Sequence, residues 1–377
     1  MIHYHPSMQH LYVHVPFCKR RCTYCDFAIA VRKAVPATDF VRAIAAELAM
    51  RVPDRPDKPL TTVYLGGGTP SLLGADGVAA LMEAVRARLP IAKDAEVTLE
   101  ANPDDVSAGA ATQWRASGVT RLSIGAQSFD ARALEWMHRT HDAAQIARAI
   151  EGARAGGISE ISLDLIFALP DALARDWERD LAAALAFAPR HVSVYGLTVE
   201  ERTPLGRWHA RGEVHEAPEE QYAREFLRAH ERLEAAGFEH YEVSNFAKPG
   251  ARARHNSVYW RRVPYLGVGP SAHSFDGERR AWNAREYAAW SRAVLAGEDP
   301  TAGSEALPER SVAAERVYLG LRTSAGIPLS PDIRSAVRPW LSQGWAMERE
   351  GRLRLTAEGW LRLDSIAAHL TAVTSRS

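Results

Sequence analysis

Residues 12–27 read YVHVPFCKRRCTYCDF, and this segment holds every cysteine of the 377-residue chain: Cys18, Cys22 and Cys25, within eight residues of one another. Residues 11–17, just ahead of and into this loop, are rich in β-branched and apolar residues and predict a buried strand. An odd, clustered set of thiols is a poor disulfide framework, because one is always left over and a reducing compartment opens the rest. Structural zinc wants four protein ligands, and the chain has only three cysteines. A CxxxCxxC loop suits a four-iron four-sulfur (4Fe-4S) cluster instead, held at three corners by Cys18, Cys22 and Cys25 and open at the fourth iron to a small chelating molecule.

Outward from this loop the same alternation repeats. Segments 62–65, 96–100, 121–127, 160–169 and 191–197 predict further strands, separated by Ala-rich stretches of helical spacing at 40–51, 78–89, 143–155 and 177–188, with another helix at 219–236. Strand, helix, strand, repeated, predicts an α/β fold with a parallel sheet. Six such units suit an open, incomplete (β/α)6 barrel of the triosephosphate-isomerase type, with a doubly wound sheet as the alternative. The Gly- and Pro-containing stretch 245–277 breaks the rhythm, and after about Pro300 a helix, a hairpin (AMERE, Gly351, RLRLT) and a closing helix from Ala357 follow in winged-helix-like order. The expected division is a barrel domain over 1–244, an irregular connecting segment over 245–299 and a C-terminal domain over 300–377.

Lys+Arg and Asp+Glu balance at 46 each, which gives no electrostatic footprint for gripping a phosphate backbone, so nucleic acid is not expected as a partner. No apolar run reaches the length of a membrane span, and MIHYHPSMQH lacks the core of a secretory signal, so the expected location is the cytoplasm. His3, His5 and His10 are expected to belong to a disordered end.

The remaining distinctive residues fall at the carboxyl ends of successive predicted strands, where barrel sites are built. LGGGTPS brings Gly66, Gly67 and Gly68, which allow a ligand close to the backbone. No Lys-Ser or Lys-Thr follows, so this is not a phosphate-binding P-loop. LEANP ends in Glu100, SIGAQSF carries Gln127, and SLDLIFALP places Asp164 in an apolar run. A carboxylate there needs a partner. A cationic sulfonium or a pair of ribose hydroxyls would supply one, as would a structural salt bridge with Arg139. With an iron left open, the ligand expected is S-adenosylmethionine (SAM).

Together these segments resemble the HemN-like radical SAM family over nearly the whole chain: YVHVPFCKRRCTYCDF, YLGGGTPS, LEANPDD, RLSIGAQSF, WMHRTH, LDLIFALP, YEVSNFAKPG, HNSVYW and YLGVGPSAHSF. The resemblance implies that Tyr12, Tyr24, Gly67, Gly68, Thr69, Glu100, Gln127, Arg139 and Asp164 surround SAM, and that the C-terminal domain is of the HemN type. It departs from the family at Ala168, where glycine is usual. Within the family, the oxygen-independent coproporphyrinogen dehydrogenase has a further cysteine where this chain has Phe27, an N-terminal extension where only ten residues precede Leu11, and no HNxxYW motif. Those departures resemble the haem-chaperone branch, which implies haem as a cofactor and haem-acceptor proteins such as respiratory enzymes as partners, with peripheral membrane contact and oligomer formation left open. An alkylating or methylating radical enzyme is the more distant alternative. The motif's His255, Asn256, Tyr259 and Trp260 are the expected haem residues, with His255 as axial ligand, His273 as a second candidate and Arg252, Arg254, Arg261 and Arg262 set to pair with propionates. A histidine so placed is also commonly just a hydrogen-bonded residue.

Overall fold

The computed structural model describes residues 1–374. Six strands run parallel in chain order: β1 (His10–Val15), β2 (Leu60–Gly67), β3 (Ile91–Ala101), β4 (Arg121–Gln127), β5 (Glu160–Phe167) and β6 (His191–Gly196). Helices Ala37–Arg51, Gly74–Arg88, Ala108–Ala116, Ala143–Ala155 and Trp177–Ala186 lie in the crossovers. β4 and the helix Ala143–Ala155 have the predicted ends, the latter because Asp142 and Gln145 form a capping box. β3 starts five residues earlier than expected, since Lys93 and Asp94 are exposed and conceal its beginning.

Alternation along each strand explains how the sheet positions a site. Val63, Leu65, Val97, Leu99, Leu122, Ile124, Leu163, Leu165, Val192 and Val194 are at most 3% exposed and pack on the helices. Each such side chain contributes roughly 1.5–3 kcal/mol of burial. The alternate residues, among them Glu100, Arg121, Ser123, Asp164 and Ser193, are polar and line one cavity. Barrels of this class ordinarily fill their interior with branched apolar side chains. Here the interior is polar, and the sheet curls around space for a ligand.

The segment 245–299, expected to be an irregular connector, builds part of the same sheet. Two short strands within it, β8 (Asn245–Ala247) and β9 (Leu266–Val268), together with β7 (Glu239–Glu242) just ahead of it, extend the sheet to the order β9-β1-β2-β3-β4-β5-β6-β8-β7. Strands of three residues carry no period long enough to read. Two further strands, His273–Phe275 and Arg279–Asn283, form an antiparallel sheet with Thr301–Ala306, so the chain just past Pro300 still belongs to the preceding sheet. A fully buried Glu47 staples this region to the first crossover helix: its carboxylate accepts from Arg51 Nε (2.7 Å), Asn283 Nδ2 (2.7 Å), the Gly269 amide (2.8 Å) and Trp290 Nε1 (2.9 Å). The N-terminus is likewise tied down rather than disordered. Its ammonium meets Asp299 at 2.8 Å, Ile2 and Met8 are buried, and His10 lies on β1.

Helices Glu309–Leu321 and Leu363–Thr374 and the hairpin Ala346–Arg349/Arg352–Leu355 form the C-terminal unit. The hairpin turns through Glu350 and Gly351, both at positive φ (55° and 69°), as a two-residue turn of matching twist requires. This unit docks on β7 and β8 through Trp360, whose ring meets the buried His240 at 4.3 Å, and through an Arg322–Glu242 ion pair at 3.1 Å. Glu47→Ala should lower unfolding free energy by about 3–5 kcal/mol in chemical denaturation, because it strips a buried guanidinium of its counter-charge and leaves the Gly269 amide and the Trp290 indole without their acceptor.

Candidate cluster and cofactor site

Short backbone pairings close the cysteine loop into a ring. Phe17–Cys18 pairs in parallel with Ala30–Val31, and the Arg32 amide donates to the Cys18 carbonyl at 3.0 Å. His14 holds the loop from beneath, one ring nitrogen on the Ala28 carbonyl (2.9 Å) and the other on the Tyr12 hydroxyl (3.0 Å). Glycine is needed at two positions of the next strand end. Gly67 sits at φ 113°, where a Cβ would fall 2.6 Å from the His14 ring, and a Cβ on Gly68 would fall 2.8 Å from the Pro16 and Phe17 backbone. Gly67 and Gly68 therefore seat the cysteine loop as much as they admit a ligand.

Cys18, Cys22 and Cys25 are all free thiols opening on the cavity. Cys18 lies 3.5 Å from the Thr69 hydroxyl, and Arg139 Nη1 donates to Cys22 Sγ at 3.4 Å. Burial pushes the Cys18 thiol up to about 11 and the Cys25 thiol to about 12, so iron must displace protons to bind there. Among the described residues no three Cys, His, Asp or Glu side chains are grouped as for a single metal ion.

Of the nine residues expected around SAM, Tyr24, Gly67, Gly68, Thr69, Glu100, Gln127, Arg139 and Asp164 line the same cavity of about 390 Å³ as the cysteines. Tyr12 does not. Its hydroxyl is engaged by His14, and its ring stacks on Tyr64, which takes the place at the wall. Glu100 accepts from the Tyr64 hydroxyl (2.7 Å) and the Gly67 amide (3.0 Å), and burial pushes its carboxyl up to about 7 despite these bonds. Asp164 accepts from the Ser123 hydroxyl at 3.0 and 3.1 Å, and burial raises it too. It makes no salt bridge with Arg139, whose Nη2 is spent on Asn102 Oδ1 (2.7 Å) and the Gly125 carbonyl (2.9 Å). Gln127 and Ala168 both stand at positive φ, 66° and 56°. The alanine accepts the left-handed conformation that explains the glycine usual there, at a cost of roughly 1 kcal/mol.

Three buried polar atoms among the cavity-lining residues lack a hydrogen-bond partner: Arg121 Nη2, Thr98 Oγ1 and Arg139 Nε. Buried donors without partners are costly and mark a place for a polar ligand. Three thiols on one loop, carboxylates suited to ribose hydroxyls or a sulfonium, and orphaned donors form a set that fits a cluster with SAM. Arg121, Thr98, Ser123 and Ser193 were passed over in the sequence, though TLE, RLSIGAQ and HVSVY carry them at period two.

The HNSVYW residues divide between three surroundings. They form the helix Arg254–Trp260, whose first amides donate to Glu96 (2.9 and 3.0 Å). His255 is fully buried, with Nδ1 2.7 Å from the Thr62 hydroxyl, Nε2 2.8 Å from the Tyr259 hydroxyl and its ring stacked on Tyr64. Burial pushes it down to about 3, so it is neutral, but both nitrogens are engaged and neither faces a cavity. The expectation of an axial ligand at His255 is not met in this conformation. Asn256 lines the floor of the barrel cavity, whereas Trp260 lines a separate groove. His273 is exposed and stacks on Trp282. Arg262 is paired with Glu315, and Arg252 with Glu239 at 3.0 Å.

Parallel strands around a polar cavity, with three cysteines on the loop after the first of them, define a protein of the radical SAM class. The model of the Radical SAM superfamily matches residues 12–184. The haem chaperone HemW of Mycobacterium tuberculosis is 37% identical over 96% of this chain and 94% of its own, and that of Synechocystis sp. is 38% identical over 84% and 78%. The chain therefore belongs to the radical SAM superfamily and, within it, to the HemW family of haem chaperones. The solved structure of coproporphyrinogen III oxidase (HemN) from Escherichia coli shares the fold, with a TM-score of 0.81 and 22% identity over 97% of this chain and 91% of that one.

Glu100 generates a stability test. The unfolded chain releases this proton near 4.5 and the folded chain holds it to about 7, so rising pH between those values favours unfolding. Glu100→Gln should accordingly raise the stability of the ligand-free protein by up to roughly 3 kcal/mol at pH 8 and change it little at pH 4, as read by urea titration at both pH values.

Proposed function

We propose that this chain is a cytoplasmic haem chaperone that binds haem and passes it to haem-requiring acceptors such as respiratory enzymes, with a 4Fe-4S cluster on Cys18, Cys22 and Cys25 and SAM in the barrel cavity. Kinship over 96% of the chain with a protein named as a haem chaperone carries this reading. The cluster would supply one-electron chemistry at its open iron. Around it, Arg139 offers a hydrogen bond to the Cys22 sulfur, Thr69 lies against Cys18, and Glu100 and Asp164 present carboxylates to hydroxyls or a positive centre. The likeness to the HemN structure concerns the fold and does not bear on the substrate.

For haem, the groove beside Trp260 fits better than His255 itself. It encloses about 460 Å³, and its walls include His10, Arg252, Arg254, Trp260 and Arg261 with no carboxylate among the lining residues. Among the described residues the Arg254 side chain bonds only the backbone carbonyls of Asp94 and Thr61, and that of Arg261 only the carbonyl of Ser257, so both guanidiniums keep donors for a ligand's carboxylates. The indole offers an apolar face to a porphyrin edge. Burial, then the charges of Arg261 and Arg254, push His10 down to about 4, so its imidazole is neutral at pH 7.

Two measurements test the assignment. Anaerobic incubation of the cluster-loaded protein with SAM, reductant and coproporphyrinogen III should yield no decarboxylated product, while added haem binds and moves to an apo-haem protein. Multiple turnovers would make the chain a dehydrogenase. Separately, Arg254→Glu with Arg261→Glu should weaken haem binding at least about tenfold in absorbance titrations. His255→Ala should instead cost roughly 2–4 kcal/mol of stability through its cavity and the orphaned Tyr259 hydroxyl, leaving residual haem affinity in the folded fraction.

A further inference from the structure

Within the groove beside Trp260, His10 is the only histidine among the lining residues. It opens β1, where parallel pairing sets it across from Thr62, and its Nδ1 lies 2.9 Å from the Thr62 hydroxyl and 3.3 Å from the Thr61 hydroxyl. The Thr61 hydroxyl spends its proton on the Gln9 carbonyl (3.1 Å), so toward His10 it can only accept. The neutral ring's single proton therefore sits on Nδ1, and Nε2 keeps its lone pair. Among the described residues Nε2 has no hydrogen-bond partner, and it is not one of the buried unpartnered atoms, so it stays open. The charges that reach this ring are those of Arg261 and Arg254, both walls of the groove. From Nδ1 the hydrogen bonds run on in one direction. Thr62 accepts from His10 and donates to His255 Nδ1 (2.7 Å), and His255 Nε2 donates to the Tyr259 hydroxyl (2.8 Å).

We propose that His10 Nε2 is the axial ligand of the haem iron in this groove, and that His255 is a positioning residue that orients the ring through Thr62. The assignment rests on the haem-chaperone reading and on the placement of haem beside Trp260, and it adds the ligating atom. An imidazole fixed through one nitrogen, with the other free, is the form in which histidine is presented to a metal, because the hydrogen bond sets both tautomer and ring direction. The bond forms from the Nε2 lone pair to iron and displaces water or another labile ligand. No electron is transferred, and Nδ1 keeps its proton. The two guanidiniums favour the uncharged imidazole and supply donors for the propionates, so the same pair serves both ends of the ligand. The buried His255 thus bears on haem at one remove: the Thr62 hydroxyl that donates to it is left with only its lone pairs to offer His10.

The full chain is titrated with haem, and the ferrous complex is examined by resonance Raman after photolysis of its carbon monoxide adduct, which leaves the iron five-coordinate. The wild type should show an iron–histidine stretch that moves on labelling histidine with nitrogen-15. His10→Ala should weaken haem binding at least about tenfold and abolish that stretch. Free imidazole added to this variant should restore an imidazole-ligated spectrum, a rescue that a misfolded chain would not give. Thr62→Val should keep the stretch but shift its frequency and lower affinity several-fold, because Nδ1 loses its nearer acceptor. Wild-type affinity and an unchanged stretch in His10→Ala would sink the proposal. So would wild-type protein that binds haem without any iron–histidine stretch, which leaves haem binding standing and removes only the ligand. A wild type that takes up no haem overturns the chaperone reading itself, and this assignment with it.

Discussion

Two carboxylates, Glu100 and Asp164, and two guanidiniums, Arg121 and Arg139, face one cavity from four different places in the chain. Bringing such groups out of water costs several kcal/mol each unless they are hydrogen-bonded or paired. The protein meets this with hydroxyls and backbone rather than with direct ion pairs: Ser123 serves Asp164, Tyr64 and the Gly67 amide serve Glu100, and the carbonyls of Gly125 and Ala251 serve the arginines. Each charge is thus held in place without being cancelled by its neighbour, and the field inside the cavity stays available to a ligand. The apolar shell of helices outside the sheet is what makes that arrangement affordable.

The helix Arg254–Trp260 is the other half of the same design. Glu96, midway along the third strand, accepts from its first amides, and His255 locks its inner face against Thr62 and Tyr64. One short helix therefore seals the floor of the barrel with Asn256 and furnishes the wall of a separate basic groove with Trp260. The two compartments share a partition of a single turn or two of backbone, which gives a physical route by which occupancy of one can be felt in the other.

Much of this was legible in the sequence because it rests on period and composition. The six parallel strands, the crossover helices and the cysteine loop follow from runs of β-branched residues, helical spacing and a clustered set of thiols. What escaped has a common cause. β8 and β9 are three residues long, too short for any period, and their membership of the sheet is decided by partners such as Ser193 and Leu11 far away in the chain. The resemblance placed Tyr12 at SAM, whereas its ring stacks on Tyr64, its neighbour across the sheet, and Tyr64 is the one at the cavity wall. His255 was read from the company it keeps, whereas a histidine's role is set by what its two nitrogens meet, and that is a tertiary fact. The polar face of the strands lay open to inspection at alternate positions of RLSIGAQ and HVSVY.

The parallel pairing of Leu11 with Leu266 also sets an order of events during synthesis. The cysteine loop is synthesised long before the strand that covers its outer flank and the Gly269, Asn283 and Trp290 groups that secure the adjoining helix. Contacts of such long separation form late. The sheet therefore stays open along the first strand, beside the cysteine loop, until the chain past Leu266 has been made and can pair with it.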